Sequence, residues 1–256
     1  MCHPEVPEGA PIPDVRVEDT AIPVEDGVMP ALLALPARRP APGILIINDV
    51  FGRSPFYDNL ARRLAQARFV AATPEYFFRE GSLPEPTRDA AVARAKRLDF
   101  KRWGRDMAAA IDWLRARPEV NGVVGTIGFC MGGTQALLLA ARRDDIAATV
   151  SYYGFPADAR TDASPIEVAA KMHGPILGHW GDQDEGVGPD NVARLRAALE
   201  AAGVEHEFHI YPGIGHGFLK ASLEDSKTPG YEQACASWRR TLEFYRRCFS
   251  REKVLS

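Results

Sequence analysis

The chain has 256 residues, 46% of them hydrophobic, and a formal net charge of −3 at pH 7. This composition suits a globular domain with a sizeable core, and the charge gives no electrostatic argument for nucleic-acid binding. No apolar run reaches the roughly 18 residues of a membrane-spanning helix. Residues 1–14 are polar and proline-rich, unlike a signal peptide, and predict an extended tail. We therefore expect a single domain over 1–256, soluble and cytoplasmic, as a monomer or weak homodimer.

Two leading runs, 15–24 and 29–36, predict strands that pair antiparallel at the start of the sheet. The later runs are nearly continuous in apolar residues, which is typical of strands covered on both faces of a parallel sheet. These later runs span 43–48, 69–76, 123–129, 146–154, 174–181 and 205–211. The last run alternates apolar and charged residues, which indicates a place near the sheet edge.

Helical periodicity separates these runs, and Asp58 is expected to cap the first helix. Residues 80–103 fit the rhythm least, and their charges and prolines predict a surface excursion near the mouth of a pocket. The alternation of strand and helix predicts an α/β fold with right-handed crossovers. The helical stripes are Leu60, Leu64 and Ala67; Met107, Ile111 and Leu114; Val192, Leu195 and Leu199, ended by Gly203; and Ala234, Trp238, Leu242 and Tyr245.

The cysteines predict neither a disulfide framework nor a metal centre. They are Cys2, Cys130, Cys235 and Cys248, without a Cys-x-x-Cys pair or a zinc-binding spacing. Cys2 and His3 are adjacent, but a structural metal site usually recruits four ligands. We expect free thiols and no metal or organic cofactor.

A thiol stands in the middle of a small-residue turn, "GFCMGG", between an apolar strand and a helical run. Gly128-Phe129-Cys130-Met131-Gly132 has the Gly-x-nucleophile-x-Gly form of a nucleophile elbow, in which small neighbours accommodate a strained residue. The following helix N-terminus favours a thiolate, and the Met131 N–H would supply half of an oxyanion hole. The alternative is a buried structural cysteine.

A histidine and an aspartate in later loops favour the nucleophile. His216 lies in a glycine-rich loop after the last strand, where a general base can turn toward the thiol. Asp182 and Asp184 follow the strand 174–181, and either residue could orient the imidazole. The chain order of cysteine, aspartate and histidine is the order of the α/β-hydrolases.

With these residues in place, the chain resembles the dienelactone hydrolases (carboxymethylenebutenolidases) over roughly residues 15–250. The resemblance is carried by the elbow and by segments 49–52, 75–79, 152–154, 181–184 and 216–218. It implies the α/β-hydrolase fold, with a mostly parallel sheet of about eight strands and helices on both faces. It also implies a catalytic triad of Cys130, Asp184 and His216, with Asp184 favoured over Asp182.

The same resemblance assigns further roles and shows departures. Asp49 stands where the family has a glutamate that holds the resting thiol, although Asn48-Asp49 also suits a turn. Val50 would give the second oxyanion amide. Arg79 matches an arginine that binds the substrate carboxylate. A second family arginine is Lys220 here, and a family serine is Gly217, so the substrate is open.

The resulting hypothesis is hydrolysis of a lactone or ester, including carboxylate-bearing ones, through an acyl-thiol intermediate. One alternative is a general carboxylesterase or thioesterase. Another is a hydrolase-fold protein that binds ligands without turnover. A small-molecule substrate is the expected partner, without nucleic acid or membrane.

Overall fold

A computed structural model describes residues 15–158 and 163–255. The predicted tail over 1–14 and the Cys2-His3 pair lie outside these residues. The chain divides after Val124 into an N-terminal and a C-terminal compact unit. The strands make an eight-stranded, mostly parallel sheet, as expected. In the described ranges, no helix combines the length and apolarity that crossing a membrane requires.

The N-terminal unit holds the antiparallel part of the sheet, with strand order β1-β2-β4-β3. β1 pairs antiparallel with β2, and β2 pairs antiparallel with β4, whereas β3 and β4 are parallel. The predicted antiparallel start is therefore confirmed. Ile44–Ile47 of β3 are fully buried, as the continuous apolar run predicts. The strands are β1 (Arg16–Val24), β2 (Gly27–Leu35), β3 (Ala41–Ile47) and β4 (Val70–Pro74).

The helices of this unit are α1 (Pro55–Gln66), α2 (Arg88–Ala95) and α3 (Phe100–Arg115). The predicted cap of α1 is wrong: Ser54 is the N-cap, and Asp58 lies within the first turn. There Asp58 pairs with Arg53, with 2.8 Å between its Oδ1 and Nε of Arg53. A proline at the first helical position explains the earlier start, since its fixed φ suits a helix and its missing N–H costs nothing there.

The predicted surface excursion over 80–103 is largely exposed and contains a helix, α2, that the sequence did not predict. Thr87 caps α2 by accepting a hydrogen bond from the Ala90 N–H. On the inner face of α2, Ala91, Ala95 and Arg94 are all buried. The many charged residues of this segment gave no clear helical periodicity, although part of it forms a short helix with Arg94 on its buried side.

The C-terminal unit holds strands that pair in parallel, in the order β5-β6-β7-β8. β8 is at the end of this order and exposes Ile210, which confirms the predicted edge position. Gly203 ends α6 in the left-handed conformation, as predicted. The elements are β5 (Val120–Phe129), α4 (Met131–Ala140), β6 (Thr149–Tyr152), α5 (Pro165–Val168), β7 (Ile176–Gly181), α6 (Pro189–Ala202), β8 (His206–Tyr211) and α7 (Tyr231–Leu255).

Candidate active site

The junction between β5 and α4 places Cys130 in a strained conformation. Cys130 is the N-cap of α4 with φ 57° and ψ −120°, a left-handed φ that non-glycine residues rarely adopt. Its N–H donates to the Tyr152 carbonyl at 3.0 Å, and its own carbonyl accepts from the Thr134 N–H at 3.1 Å. Such strain costs about 1–3 kcal/mol and persists only where the surroundings enforce it. The expected strained turn is therefore observed.

Glycines make this junction possible. A Cβ on Gly128 would lie 2.0 Å from the Gly132 carbonyl oxygen, and a Cβ on Gly133 would lie 2.8 Å from the Tyr152 carbonyl oxygen. Both distances are shorter than any tolerable contact with backbone. The close approach of β5 and α4 thus requires the small residues that the sequence places there.

His216 and Asp184 are joined by a short hydrogen bond, with 2.6 Å between Nδ1 and Oδ2. Asp184 is buried, and its other oxygen accepts from the Val187 N–H at 3.3 Å. Asp182 instead accepts from the Gly213 N–H at 2.7 Å, in an exposed turn. Of the two aspartates considered from the sequence, the structure brings Asp184 to the histidine.

Cys130 completes this group by hydrogen bonding to His216. Because Nδ1 of His216 bonds Asp184, Nε2 is the ring nitrogen left for the hydrogen bond with the Cys130 thiol. Burial lowers the pKa of His216, but the hydrogen bonds and charges of Asp184 and Cys130 outweigh this effect and raise the pKa to about 9. The hydrogen bonds of His216 therefore favour its protonated ring at neutral pH.

Two aromatic rings flank His216. The centroid of Tyr153 is 4.8 Å from the imidazole centroid, and that of Phe155 is 5.4 Å away. Tyr153 has a φ of 39°, and its N–H donates to the His179 carbonyl at 2.8 Å. Aromatic faces stabilise a nearby cation, so this arrangement favours the protonated ring. Tyr153 belongs to the matched segment 152–154, but nothing in the sequence pattern indicates this contact.

Two other predicted residues of the C-terminal unit have distinct settings. The Met131 N–H, at the first position of α4, makes no hydrogen bond among the residues that the structure describes. It is therefore available to an anion at the helix N-terminus. Lys220 is half-buried in a 3₁₀ helix over 218–223, which follows the His216 loop.

Asp49 closes a turn after β3 in the N-terminal unit. Its Oδ1 accepts from the Phe51 N–H at 2.9 Å, and its carbonyl accepts from the Gly52 N–H at 3.0 Å. The turn chemistry considered from Asn48-Asp49 is thus present. The Val50 N–H between these donors has no hydrogen-bond partner in the described part of the chain. An amide left available in an ordered turn is the feature an oxyanion donor requires.

Arg79 forms a two-pronged ion pair with Asp106 of α3. Nη1 of Arg79 donates to Oδ2 of Asp106, and Nη2 donates to Oδ1 at 3.3 Å. The side chain of Asp106 is only 5% exposed, and removing one partner of a buried ion pair is strongly destabilising. The guanidinium also lies over the Phe78 ring, 4.2 Å from its centroid. The arginine expected to bind a substrate carboxylate therefore already holds a carboxylate of the protein.

No group of three or more histidine, cysteine, aspartate or glutamate side chains suited to a metal ion occurs within 15–158 and 163–255. Cys130, Cys235 and Cys248 take part in no disulfide among the residues that the structure describes. Burial raises the pKa of the Cys248 thiol to about 11, which disfavours its reactive form.

Comparisons with known proteins agree with this architecture. The model of the dienelactone hydrolase family matches residues 29–249. The chain is 33% identical over 251 residues to a carboxymethylenebutenolidase from Rhodococcus opacus, covering 96% of this chain and 97% of the relative. It is 30% identical over 236 residues to a Bradyrhizobium protein assigned as a 2-oxo-3-(5-oxofuran-2-ylidene)propanoate lactonase, covering 90% and 89% of the two chains.

Among solved structures, a protein from Klebsiella pneumoniae assigned as a dienelactone hydrolase superposes with a TM-score of 0.82. It is 28% identical, and the match covers 90% of this chain and 97% of that one. The fold is that of the α/β-hydrolases, as the sequence predicts. Since the family model spans most of the chain and the Rhodococcus relative aligns along nearly its whole length, this chain belongs to the dienelactone hydrolase family, whose members hydrolyse carboxylic esters.

Proposed function

We propose that the protein hydrolyses lactones or esters by transferring the acyl group to Cys130. The observation that carries this proposal is the chain of contacts from Cys130 to His216 to Asp184, with the thiol on a strained turn. The names of the Rhodococcus and Bradyrhizobium relatives, a carboxymethylenebutenolidase and a lactonase, favour a lactone as substrate.

In the proposed reaction, the Cys130 thiolate attacks the carbonyl carbon and forms a C–S bond. The N–H groups of Met131 and Val50 stabilise the oxyanion, a role for Val50 that rests on the family match and on its available amide. The C–O bond then breaks, and the leaving alkoxide takes the proton from His216. The product of this half-reaction is an acyl-thiol with a neutral imidazole.

Water completes the cycle. His216, held by Asp184, accepts a proton from water as the oxygen attacks the acyl-thiol carbonyl. The C–S bond breaks, and the carboxylic acid leaves with Cys130 again a thiolate beside an imidazolium. Asp49 matches the family glutamate in position, and the proposed reaction gives it no proton-transfer step. No metal or organic cofactor is needed.

Replacing the nucleophile tests this proposal. We expect Cys130→Ala to lower kcat/KM on small lactones and p-nitrophenyl esters by about 10³-fold or more, because the step that forms the acyl-thiol is lost. The thermal unfolding midpoint should stay near that of the wild type. Mass spectrometry after rapid quenching should show an acyl adduct on Cys130 of the wild type.

Cys235→Ala is the matched control, because this half-buried thiol of α7 lies outside the candidate site. It should retain wild-type rates. Hydrolysis by Cys130→Ala at the wild-type rate would overturn the proposal. Absence of turnover in the wild type, with no preferential labelling of Cys130 by iodoacetamide at about pH 6, would favour the ligand-binding alternative.

A matched substrate panel distinguishes a lactonase from a general carboxylesterase or thioesterase. It pairs lactones, linear esters and thioesters that differ only in a carboxylate or its amide. If Arg79 and Lys220 bind a substrate carboxylate, the acids should have the lower KM. Equal KM values for acids and amides would remove this role and agree with the pairing of Arg79 to Asp106.

A further inference from the structure

Arg94 is a buried arginine whose guanidinium binds main-chain carbonyls. Only 4% of the residue is exposed. Its Nη2 donates to the Phe51 carbonyl at 2.8 Å and to the Val50 carbonyl at 3.4 Å, and its Nη1 donates to the Gly81 carbonyl at 3.1 Å. The guanidinium lies 3.8 Å from the centroid of the Phe77 ring. It thus joins the turn after β3 to the segment after β4.

These bonds fix successive peptide units of the turn from both ends. In a trans peptide the C=O and N–H groups point in opposite directions. The Val50 carbonyl is held by Arg94 while the N–H of the same peptide donates to Asp49. The Phe51 carbonyl is held by Arg94 while the Gly52 N–H donates to the Asp49 carbonyl.

The peptide before them is held through its carbonyl. The Asp49 carbonyl accepts from the Tyr76 hydroxyl at 2.6 Å. The N–H of that peptide belongs to Val50, and it is the amide left without a partner in the described chain. The turn therefore has one available N–H, and its direction is set by the neighbouring peptides that Arg94 and Tyr76 anchor.

The surroundings of Arg94 are built for an arginine. Gly52 has a φ of 80°, and a Cβ there would lie 3.1 Å from Oε1 of Glu75 and 3.2 Å from Nη2 of Arg94. Burial lowers the pKa of Arg94, and the electrostatic interaction with Glu75 opposes this effect. The ammonium group of a lysine is compact and has no planar face. It would therefore replace neither the several hydrogen bonds to carbonyls nor the stacking on Phe77.

We infer that Arg94 is a positioning residue, which holds the turn over 49–52 so that the Val50 amide is directed at the oxyanion of the reaction. This inference rests on the proposed function, in which Val50 is an oxyanion donor. A small displacement of such a donor lowers transition-state stabilisation while leaving ground-state binding largely intact.

Arg94→Met tests the inference, with Arg97→Met as the control. Arg97 follows the same helix, and its exposed side chain donates to the Glu80 carbonyl at 2.9 Å. We expect Arg94→Met to lower kcat by about 10- to 100-fold with KM within about twofold, since one oxyanion donor is misdirected. Arg94→Lys should recover little, and Arg97→Met should match the wild type.

Two further measurements separate positioning from general loss of structure. A trifluoromethyl ketone, which forms a tetrahedral oxyanion on the thiol, should bind Arg94→Met more weakly by about the same factor as kcat falls. The rate of alkylation of Cys130 by iodoacetamide should not change, because that reaction creates no oxyanion. Equal losses in both reactions, or a kcat per alkylatable thiol equal to the wild type, would overturn the inference.

Two additional variants keep the test decisive if Arg94→Met fails to fold. Arg94 lines a cavity of about 470 Å³ in the N-terminal unit, so methylguanidine added to Arg94→Ala should restore part of kcat. Tyr76→Phe removes the other anchor and should show the same loss of kcat at constant KM. Unchanged kcat in Tyr76→Phe and no rescue of Arg94→Ala would contradict the inference, whereas activity in Cys130→Ala would overturn the proposed function itself.

Discussion

His216 lies between a carboxylate and a thiol, and its charge follows from that position. Burial alone would favour the neutral ring, but the contacts with Asp184 and Cys130 raise its pKa to about 9. The rings of Tyr153 and Phe155 add to the same preference. At neutral pH the residue therefore carries a proton that the leaving group can take.

This charge predicts the pH dependence of the reaction. Below a pH of about 9 the imidazole is protonated, and above it the proton is lost. We expect kcat/KM on an alkyl ester or unactivated lactone to fall as the pH rises through about 9, because the alkoxide then lacks a proton donor. A p-nitrophenyl ester, whose leaving group departs as an anion, should show a weaker fall.

His209→Asn provides the comparison, since His209 lies on β8 and hydrogen bonds to Glu207 at 2.7 Å. Its profile should superimpose on that of the wild type. A profile for the alkyl ester that stays flat to about pH 10 would be inconsistent with the proposed acid role of His216.

The members of the candidate site were predictable from the sequence where they belong to a motif. The elbow, the glycine-rich loop and the chain order predicted Cys130 and His216 and left Asp182 and Asp184 both open, and the family resemblance favoured Asp184. The surroundings were not predictable in this way. Asp106 is a carboxylate beside an apolar helical stripe, and Arg94 is one of many arginines in a charged segment. Only three-dimensional burial distinguishes Arg94 from a solvated arginine.

At the scale of elements, β5 and α4 approach each other so closely that a Cβ on Gly128 would clash with the Gly132 carbonyl. All ten residues of α4 are buried, so the helix has no freedom to move outward. The strained φ of Cys130 depends on this packing, because the surrounding structure must offset the cost of the strain. The position of the thiol is therefore a property of the strand–helix pair.

Gly128→Ala should disrupt that pair. Its Cβ would lie 2.0 Å from the Gly132 carbonyl oxygen, which forces the junction apart. We expect a loss of about 2–4 kcal/mol in the free energy of unfolding and at least 100-fold in kcat/KM. Chemical denaturation and steady-state kinetics measure the two effects.

Gly186→Ala is the paired control, because a Cβ there meets its nearest side chains at 3.6 and 3.8 Å, which are ordinary contacts. It should change stability by no more than about 0.5 kcal/mol. If Gly128→Ala behaved in the same way, the close approach would not be required.

The elements themselves were largely predictable, for separable reasons. Continuous apolar runs predicted the buried strands, and Gly203 predicted the end of α6 through its left-handed φ of 68°. The start of α1 was wrong because Asp58 has the chemistry of a cap, whereas the helix begins one turn earlier with Ser54 as its N-cap. The helix α2 was missed because its apolar face is only alanine, which gives a weak periodic signal.

At the largest scale, a chain of buried polar side chains joins strands and helix within the C-terminal unit. Nδ1 of His179 bonds the Tyr211 hydroxyl at 3.0 Å, and its Nε2 lies 3.1 Å from Oγ1 of Thr241. The Tyr152 hydroxyl is 2.8 Å from the same Thr241 oxygen. Burial holds the pKa of His179 well below its usual value, so this ring stays neutral. The chain spans β6, β7, β8 and α7.

Thr241→Val should destabilise this unit without touching the candidate site. Valine has the same shape but leaves His179 and Tyr152 without their shared partner, a cost of about 1–3 kcal/mol. We expect that loss in urea unfolding, with kcat near the wild-type value for the folded protein.

The half-buried Thr20 on strand β1 serves as the reference position, and Thr20→Val should be neutral within about 0.5 kcal/mol. An equally small effect of Thr241→Val would show that these buried polar side chains make no net contribution to the free energy of unfolding. The sequence could not predict these hydrogen bonds, because the residues that make them are up to 89 positions apart.

The crowded glycines around Cys130 constrain the backbone at this position. A Cβ on Gly128 or Gly133 would meet backbone carbonyl oxygens, and the Cys130 main chain hydrogen bonds to the Tyr152 carbonyl and the Thr134 N–H. These contacts do not involve the sulfur atom, and a serine side chain differs from that of cysteine only in having oxygen in its place. We therefore expect Cys130→Ser to keep the strained backbone of this junction while replacing the thiol by a hydroxyl.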